Sequence, residues 1–334
     1  MERRVQPAVL LNGFAVQFQD ADGDSATVTI SQPLLNLGNV NSVLTFDVGA
    51  VDGTTTTPQQ LRRIDLTALG GAAQGISVTV AAEQAGGDGL VHVGAFMSGG
   101  LDVGTIDIEG DLGRIVAGDG NAATTGLQSL IAQSFGAMGT STQGPGGSFV
   151  SSVNGRVESF KTVGDFDCAR LEVAGSFGLL HVGGSLVGRS SDYTGMVLGG
   201  VLDEVRIDQS MIGGGGIESG TLRMNGLGDV HVGGDMRGGA GDLSARLRSY
   251  GGIGSVSVGG SLIGGTGGNS ATIRSEGGIG PIQIAGDLRG VASGSAYISA
   301  QRSIKRQVRL ASLTKVLCGR IWAACTPSAA AGWW

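Results

Sequence analysis

The sequence predicts an all-β protein: a right-handed parallel β-helix solenoid with about 25–26 residues per coil, a length typical of stacked repeat units, and an N-terminal β cap. Two observations carry that expectation. The first is an internal repeat. Gly228-Asp229-Val230-His231-Val232-Gly233-Gly234-Asp235-Met236 returns over 254–262, and again over 280–288. A fixed period of this length marks a chain in which each unit buries its apolar face against the next. The second is composition. Of 334 residues 64 are glycine, and each interior glycine costs a helix roughly 0.8–1 kcal/mol relative to alanine, which argues against a helical body. Only 6 prolines and no triplet period exclude collagen. Apolar residues are 41% and fall in short alternating runs, which excludes a disordered chain. Aromatics are only 4%, so the core is expected from Val, Ile, Leu and Ala, the first two of them strand formers.

The elements follow in order. Residues 1–62 lack glycine corners but show strand patterns at 14–18, 27–31 and 43–48, and read as a β cap covering the unpaired edge of the first coil. Residues 63–304 read as parallel β-helix repeats, most regular over 201–304. Each coil there has three apolar stations. Val230/Val232, Val256/Val258 and Ile282/Ile284 form the first; Ala245/Leu247, Ala271/Ile273 and Ala296/Ile298 the second; Leu227, Ile253, Ile279 and Ile304 the third. Alternation within a station turns alternate side chains inward, and the Gly-Gly segments between stations allow tight corners. Upstream the unit drifts, through 76–80, 90–94, 106–112 and 180–184, and 122–152 reads as a looped insertion or an imperfect coil. Residues 305–334 form an atypical basic tail holding all three tryptophans. It reads as a truncated or frame-shifted end in preference to a capping helix built on Leu310, Leu313, Leu317 and Ile321.

Net charge is −6, but residues 301–334 hold six basic groups and no acid, leaving 16 basic and 28 acidic groups, a net of −12, on residues 1–300. An acidic body of this kind is expected to repel nucleic acid. Three cysteines give no disulfide framework. No apolar run reaches the roughly 20 residues of a membrane-spanning helix, and no signal peptide is visible at the start of the chain.

Phe18-Gln19-Asp20-Ala21-Asp22-Gly23-Asp24, followed by Thr27-Val28-Thr29-Ile30, resembles the opening of glycine-rich β-strand-repeat proteins of bacterial cell surfaces. The strand at 76–80, the Ala85-Gly86-Gly87-Asp88-Gly89 turn and the Val-Gly-Gly-(Asp/Ser)-Leu rungs extend the likeness over about residues 14–300. The chain is similar, more loosely, to autotransporter passenger domains. The resemblance implies an extracellular or cell-surface, adhesin-like protein whose partners are surface glycans or other surface proteins, and it leaves the oligomeric state open.

Two groups of residues are candidates for ligand chemistry. Asp20, Asp22 and Asp24 alternate as in the start of a calcium loop, although Ser25 and Ser31 stand where an EF-hand needs glycine and a bidentate acid; an acidic hairpin turn is the competing reading. Arg223, Arg248 and Arg274 recur once per coil beside the second station, and with Arg246 they are expected to form an outward stripe suited to an anionic glycan. The three histidines, His92, His181 and His231, fall in outward slots too far apart to share one zinc ion. Glu204 and Asp229 occupy equivalent slots in adjacent coils, at the spacing of a retaining glycosidase pair, without an identifiable sugar platform. The expectation is therefore a non-enzymatic structural or adhesive β-helix fragment with no required cofactor. A polysaccharide-active β-helix enzyme and a calcium-stabilised surface module are the alternatives.

Overall fold

The computed structural model describes residues 6–304 and the strands Val308–Leu310 and Ile321–Ala323. The capping helix considered for 310–321 is not seen at its ends, since Leu310 and Ile321 lie in these parallel-paired strands; the remainder of the tail, and with it the reading of a shifted frame, lies outside the described residues. The protein is all-β, with parallel strand repeats in a solenoid-like arrangement. It divides into two compact units, Met1–Leu186 with Val197–Gly200, and Val187–Met196 with Val201–Trp334. Among the described residues no helix is long and apolar enough to cross a membrane.

The first unit begins antiparallel and continues parallel. Val9–Leu10, Ala15–Gln19, Ser25–Ile30 and Val78–Glu83 pair antiparallel in that order, and Leu44–Phe46 pairs antiparallel with Leu61–Asp65. From there the pairing is parallel: Val78–Glu83 takes Val103–Leu112, which takes Thr125–Phe135, then Arg156–Thr162, then Phe177–Val182. Thr125–Phe135, inside the stretch expected as a loop or an imperfect coil, is thus a ladder strand with a parallel partner on each side. Register partners Leu130, Phe160 and Leu180 are unevenly spaced along the chain, so the coils differ in length. Their interior is filled by rings: Phe135 packs edge-on against Phe160 at 5.0 Å, and Phe160 also meets Phe166 and Phe177. Four of the nine phenylalanines thus fill this interior, which the composition led us to expect from aliphatic residues alone.

The second unit is regular because its contacts repeat side chain for side chain. Val230, Val256, Ile282 and Val308 stand in register, as do Leu227, Ile253, Ile279 and Ile304. A further column, Met211, Met236, Leu262 and Leu288, follows the Gly-Gly corner. The residue after this corner, which is Gly-Gly before Asp235 and Ser261, Ala-Gly before Asp287 and Asp-Gln before Ser210, links neighbouring coils. Ser210 Oγ accepts the Asp235 N–H, Asp235 Oδ1 accepts the Ser261 N–H at 2.6 Å, and Ser261 Oγ accepts the Asp287 N–H. That reach passes directly over the second glycine of the next coil. A Cβ on Gly260 would stand 2.1 Å from Asp235 Oδ1, and one on Gly286 2.2 Å from Ser261 Oγ. The Val-Gly-Gly-(Asp/Ser)-Leu motif therefore couples a side chain in one coil to an absent side chain in the next.

The second station differs from its expected form. Ala245, Ala271 and Ala296 are not strand residues; they sit at φ near +50°, in the slots filled by Gly195 and Gly220 upstream. The left-handed conformation costs a non-glycine residue roughly 1–2 kcal/mol, so the surrounding corner must hold it. A buried serine hydroxyl precedes Gly220, Ala245 and Ala271, and Ser295, which accepts the Val291 and Ala292 N–H groups, precedes Ala296. Ser219, Ser244 and Ser270 accept the N–H of Gly214, Gly239 and Gly265, each at 2.9 Å, satisfying a backbone donor that burial would otherwise strand. Each alanine N–H in turn donates to the carbonyl of the serine one coil below: Ala245 to Ser219, Ala271 to Ser244, Ala296 to Ser270. Gly188, Gly213 and Gly238 make room for Ser219, Ser244 and Ser270. A Cβ on Gly238 would lie 2.5 Å from Ser270 Cβ and 2.9 Å from the Gly265 nitrogen.

Gly238→Ala is therefore expected to lower unfolding free energy by about 1–3 kcal/mol through overpacking. Gly268→Ala, whose Cβ would meet nothing closer than 3.4 Å, is expected to change it by less than about 0.5 kcal/mol. Denaturant titration of the two variants checks this; equal effects would refute the corner interlock.

Candidate functional site

Two constellations, one in each unit, bring together side chains with binding chemistry. In the first unit, Asp20, Asp22 and Asp24 fill the turn between the antiparallel strands Ala15–Gln19 and Ser25–Ile30. Gly23 at φ 104° closes the turn, and Asp20 Oδ1 accepts the Gly23 and Asp24 N–H groups at 3.0 and 2.7 Å. One carboxylate oxygen from each of the three aspartates lies within 4.8 Å of the others.

The three carboxylates have different neighbours. Asp24 is fully buried, and its Oδ1 accepts the N–H groups of Ala85, Gly86 and Gly87 while Oδ2 accepts that of Gly89. The N–H of Gly86, with those of Gly87, Ala85 and Gly89, holds the carboxyl well below the usual carboxylate range against the opposing effect of burial. Asp24 is thus the anchor of the 85–89 loop. Asp20, also buried, is pushed up to about 7, first by burial and then by the adjoining Asp22 carboxyl. Asp22 is exposed and accepts the Asp88 N–H at 3.0 Å. Gly87 must be glycine for Asp22 to come so close, because its Cβ would fall 2.1 Å from Asp22 Oδ2. The 20–24 turn and the 85–89 turn are distant in sequence, and no spacing rule connects them.

A cavity of about 230 Å³ opens beside the turn, lined by Asp20, Asp22, Asp88, Gln59 and His92. Gln59 is fully buried; its Nε2 donates to the Val48 carbonyl at 2.7 Å, while its Oε1 has no hydrogen-bond partner. His92 Nδ1 accepts the Asp111 N–H. Gln59 is a functional candidate that sequence reasoning missed, since one glutamine far from the acidic turn carries no signal.

In the second unit Arg223, Arg248 and Arg274 are successive register partners of a parallel ladder, so their Cα atoms follow one another at about the 4.8 Å strand spacing. Like charges stacked this way repel, and acids offset part of the cost. Arg223 pairs with Glu218 at 2.6 Å and Arg248 with Glu276 at 2.7 Å. The Arg248 guanidinium also lies 4.6 Å from the centroid of the Tyr250 ring, a cation–π contact. Arg274 has no ion pair among the described residues.

Arg246 departs from the outward stripe. It is 3% exposed, because the left-handed backbone at Ala245 breaks the alternation and turns both Arg246 and Leu247 inward. It takes the slot held by Thr221 and Thr272 in neighbouring coils, both buried. Its Nε has no partner. Burial, then the charges of Arg248 and Arg274, draw its pKa down to about 10 against the opposing influence of Glu218 and Tyr297, so it stays protonated at neutral pH. Glu204 and Asp229 are both exposed, and Asp229 accepts a hydrogen bond from the Ser255 hydroxyl. The chain matches no protein-family model, no curated protein and no solved structure.

Two outcomes follow. Arg246→Met, which removes a buried guanidinium whose Nε has no hydrogen-bond partner, is expected to leave stability unchanged or to raise it by about 1–2 kcal/mol; a clear loss of stability in denaturant titration would contradict this account. Asp24→Asn leaves one acceptor oxygen where four N–H groups now converge. Hydrogen exchange at Gly86, Gly87 and Gly89 is expected to accelerate at least about tenfold, measured by mass spectrometry or NMR.

Proposed function

We propose that the protein is a non-enzymatic, right-handed parallel β-helix that acts as a stiff display and adhesion module at the cell surface, its outer wall contacting anionic glycans. The observation that best supports this reading is the register of the second unit. Column after column repeats without slippage, so any outward group recurs at a fixed interval. A wall of that kind suits a ligand that is itself a repeating polymer. The arginine ladder supplies the recognition chemistry: planar guanidinium groups pair with carboxylate and sulfate oxygens in a fork, and Tyr250 adds an aromatic face beside Arg248. Arg274, which has no acidic partner among the described residues, is the ladder charge left for a ligand to neutralise. The resemblance to glycine-rich β-strand-repeat proteins of bacterial surfaces favours the same setting.

The inter-coil bonds support the mechanical part of the reading. Each coil is held by backbone ladders, by the Ser/Asp column and by the corner serines, so local opening has to break several of them together. The test addresses the glycan contact. The double variant Arg248→Ala/Arg274→Ala is expected to leave a heparin column at lower salt than the unaltered protein. Equal retention of the two, or no retention of the unaltered protein, would overturn it.

A further inference from the structure

We infer that the first unit binds a calcium ion through Asp20, Asp22, Asp88 and the side-chain carbonyl of Gln59. This site is independent of the glycan reading, which rests on the second unit. Its acidic residues alone would not establish it, because exposed carboxylates cluster in many turns. Gln59 supplies the separate observation. It is fully buried and lines the same cavity as the three aspartates, and its Oε1 has no hydrogen-bond partner. A buried amide oxygen left without a donor is costly, and a cation in the cavity would satisfy it.

The donor set identifies the class of cation. Calcium takes six to eight oxygen ligands from carboxylates, amide carbonyls and water at about 2.3–2.6 Å, in flexible geometry. Asp20, Asp22 and Asp88 offer carboxylates and Gln59 an amide carbonyl, while the exposed Asp22 and Asp88 leave a side open to water. Magnesium demands a tighter octahedron and gives up its water reluctantly, which a partly open cavity of about 230 Å³ does not enforce. Zinc prefers nitrogen and sulfur, and the cavity offers ring nitrogen only from His92, whose Nδ1 is already engaged by the Asp111 N–H.

The structure also assigns Asp24 a role other than the one its position in the triad suggests. Both its oxygens are occupied by backbone N–H groups of the 85–89 loop. Asp24 therefore positions the loop that delivers Asp88, and Asp88 in turn donates its N–H to Asp22. The ion would join three segments distant in sequence: the 20–24 turn, Gln59 and the 85–89 loop.

Calorimetric titration of chelator-treated full-length protein with calcium chloride, magnesium chloride and zinc chloride tests the assignment. The expected result is saturable calcium binding at one site, at least tenfold tighter than magnesium, with a calcium-dependent rise in Tm. In Asp22→Asn/Asp88→Asn, where both changed side chains are exposed, calcium affinity is expected to fall at least tenfold. The chelated variant should keep the Tm of the chelated parent, showing that it still folds. Gln59→Met should weaken calcium binding as well. Absence of calcium binding to the parent, undiminished affinity in the double variant, or zinc binding without a calcium response would each overturn the proposal.

Discussion

Each coil of the second unit turns at a buried hydroxyl. Ser219, Ser244 and Ser270 bind the N–H of Gly214, Gly239 and Gly265, and their carbonyls receive the N–H of a left-handed residue in the coil above. The rest of that unit depends on this arrangement. With the corner held, alanine tolerates a conformation that normally belongs to glycine, and the chain re-enters the next strand with Leu247, Ile273 or Ile298 facing inward. The glycine facing each serine has no freedom to be anything larger. A corner of this type trades local strain for satisfied backbone donors in an interior that water does not reach.

The stacked columns were legible in the sequence because strand alternation is a local property. Val230 and Val232 announce an inward pair wherever they occur, and their return as Val256/Val258 and Ile282/Ile284 gives the register. The corners were not legible to the same degree. Alanine at 245, 271 and 296 has the look of a strand residue, and only Gly195 and Gly220 in the same slot of earlier coils betray the left-handed turn. The misplacement of Arg246 follows from that single misreading, since alternation carried across a left-handed residue puts the next side chain on the wrong face. In the first unit coil lengths vary, so period alone could not say that Thr125–Phe135 is a ladder strand or that phenylalanines fill the interior.

The two candidate sites differ in how far each could be read from residues alone. The arginine ladder is a direct product of the period. The aspartate turn shows the opposite: three acids packed into one short turn attract attention to themselves, yet what distinguishes them is contacts with residues 59 and 85–89. One of the three is an anchor with every oxygen engaged, one is buried beside a like charge, and one faces solvent. Proximity in sequence gave them the same appearance, and tertiary structure gave them separate tasks.

The Ser210, Asp235, Ser261, Asp287 column runs in one direction. Asp235 and Ser261 each accept a donor from the coil that follows, and Asp235 itself donates its N–H to the coil before. The stack therefore has unlike faces. Cut at any coil, its forward face presents side-chain acceptors reaching outward, and its rear face presents bare N–H groups above glycine. Where the cut follows Asp235, two forward faces would set carboxylate against carboxylate, and two rear faces would leave donors opposed to donors. Only head-to-tail joining satisfies both, which gives the second unit a chemical polarity along the direction of its repeats.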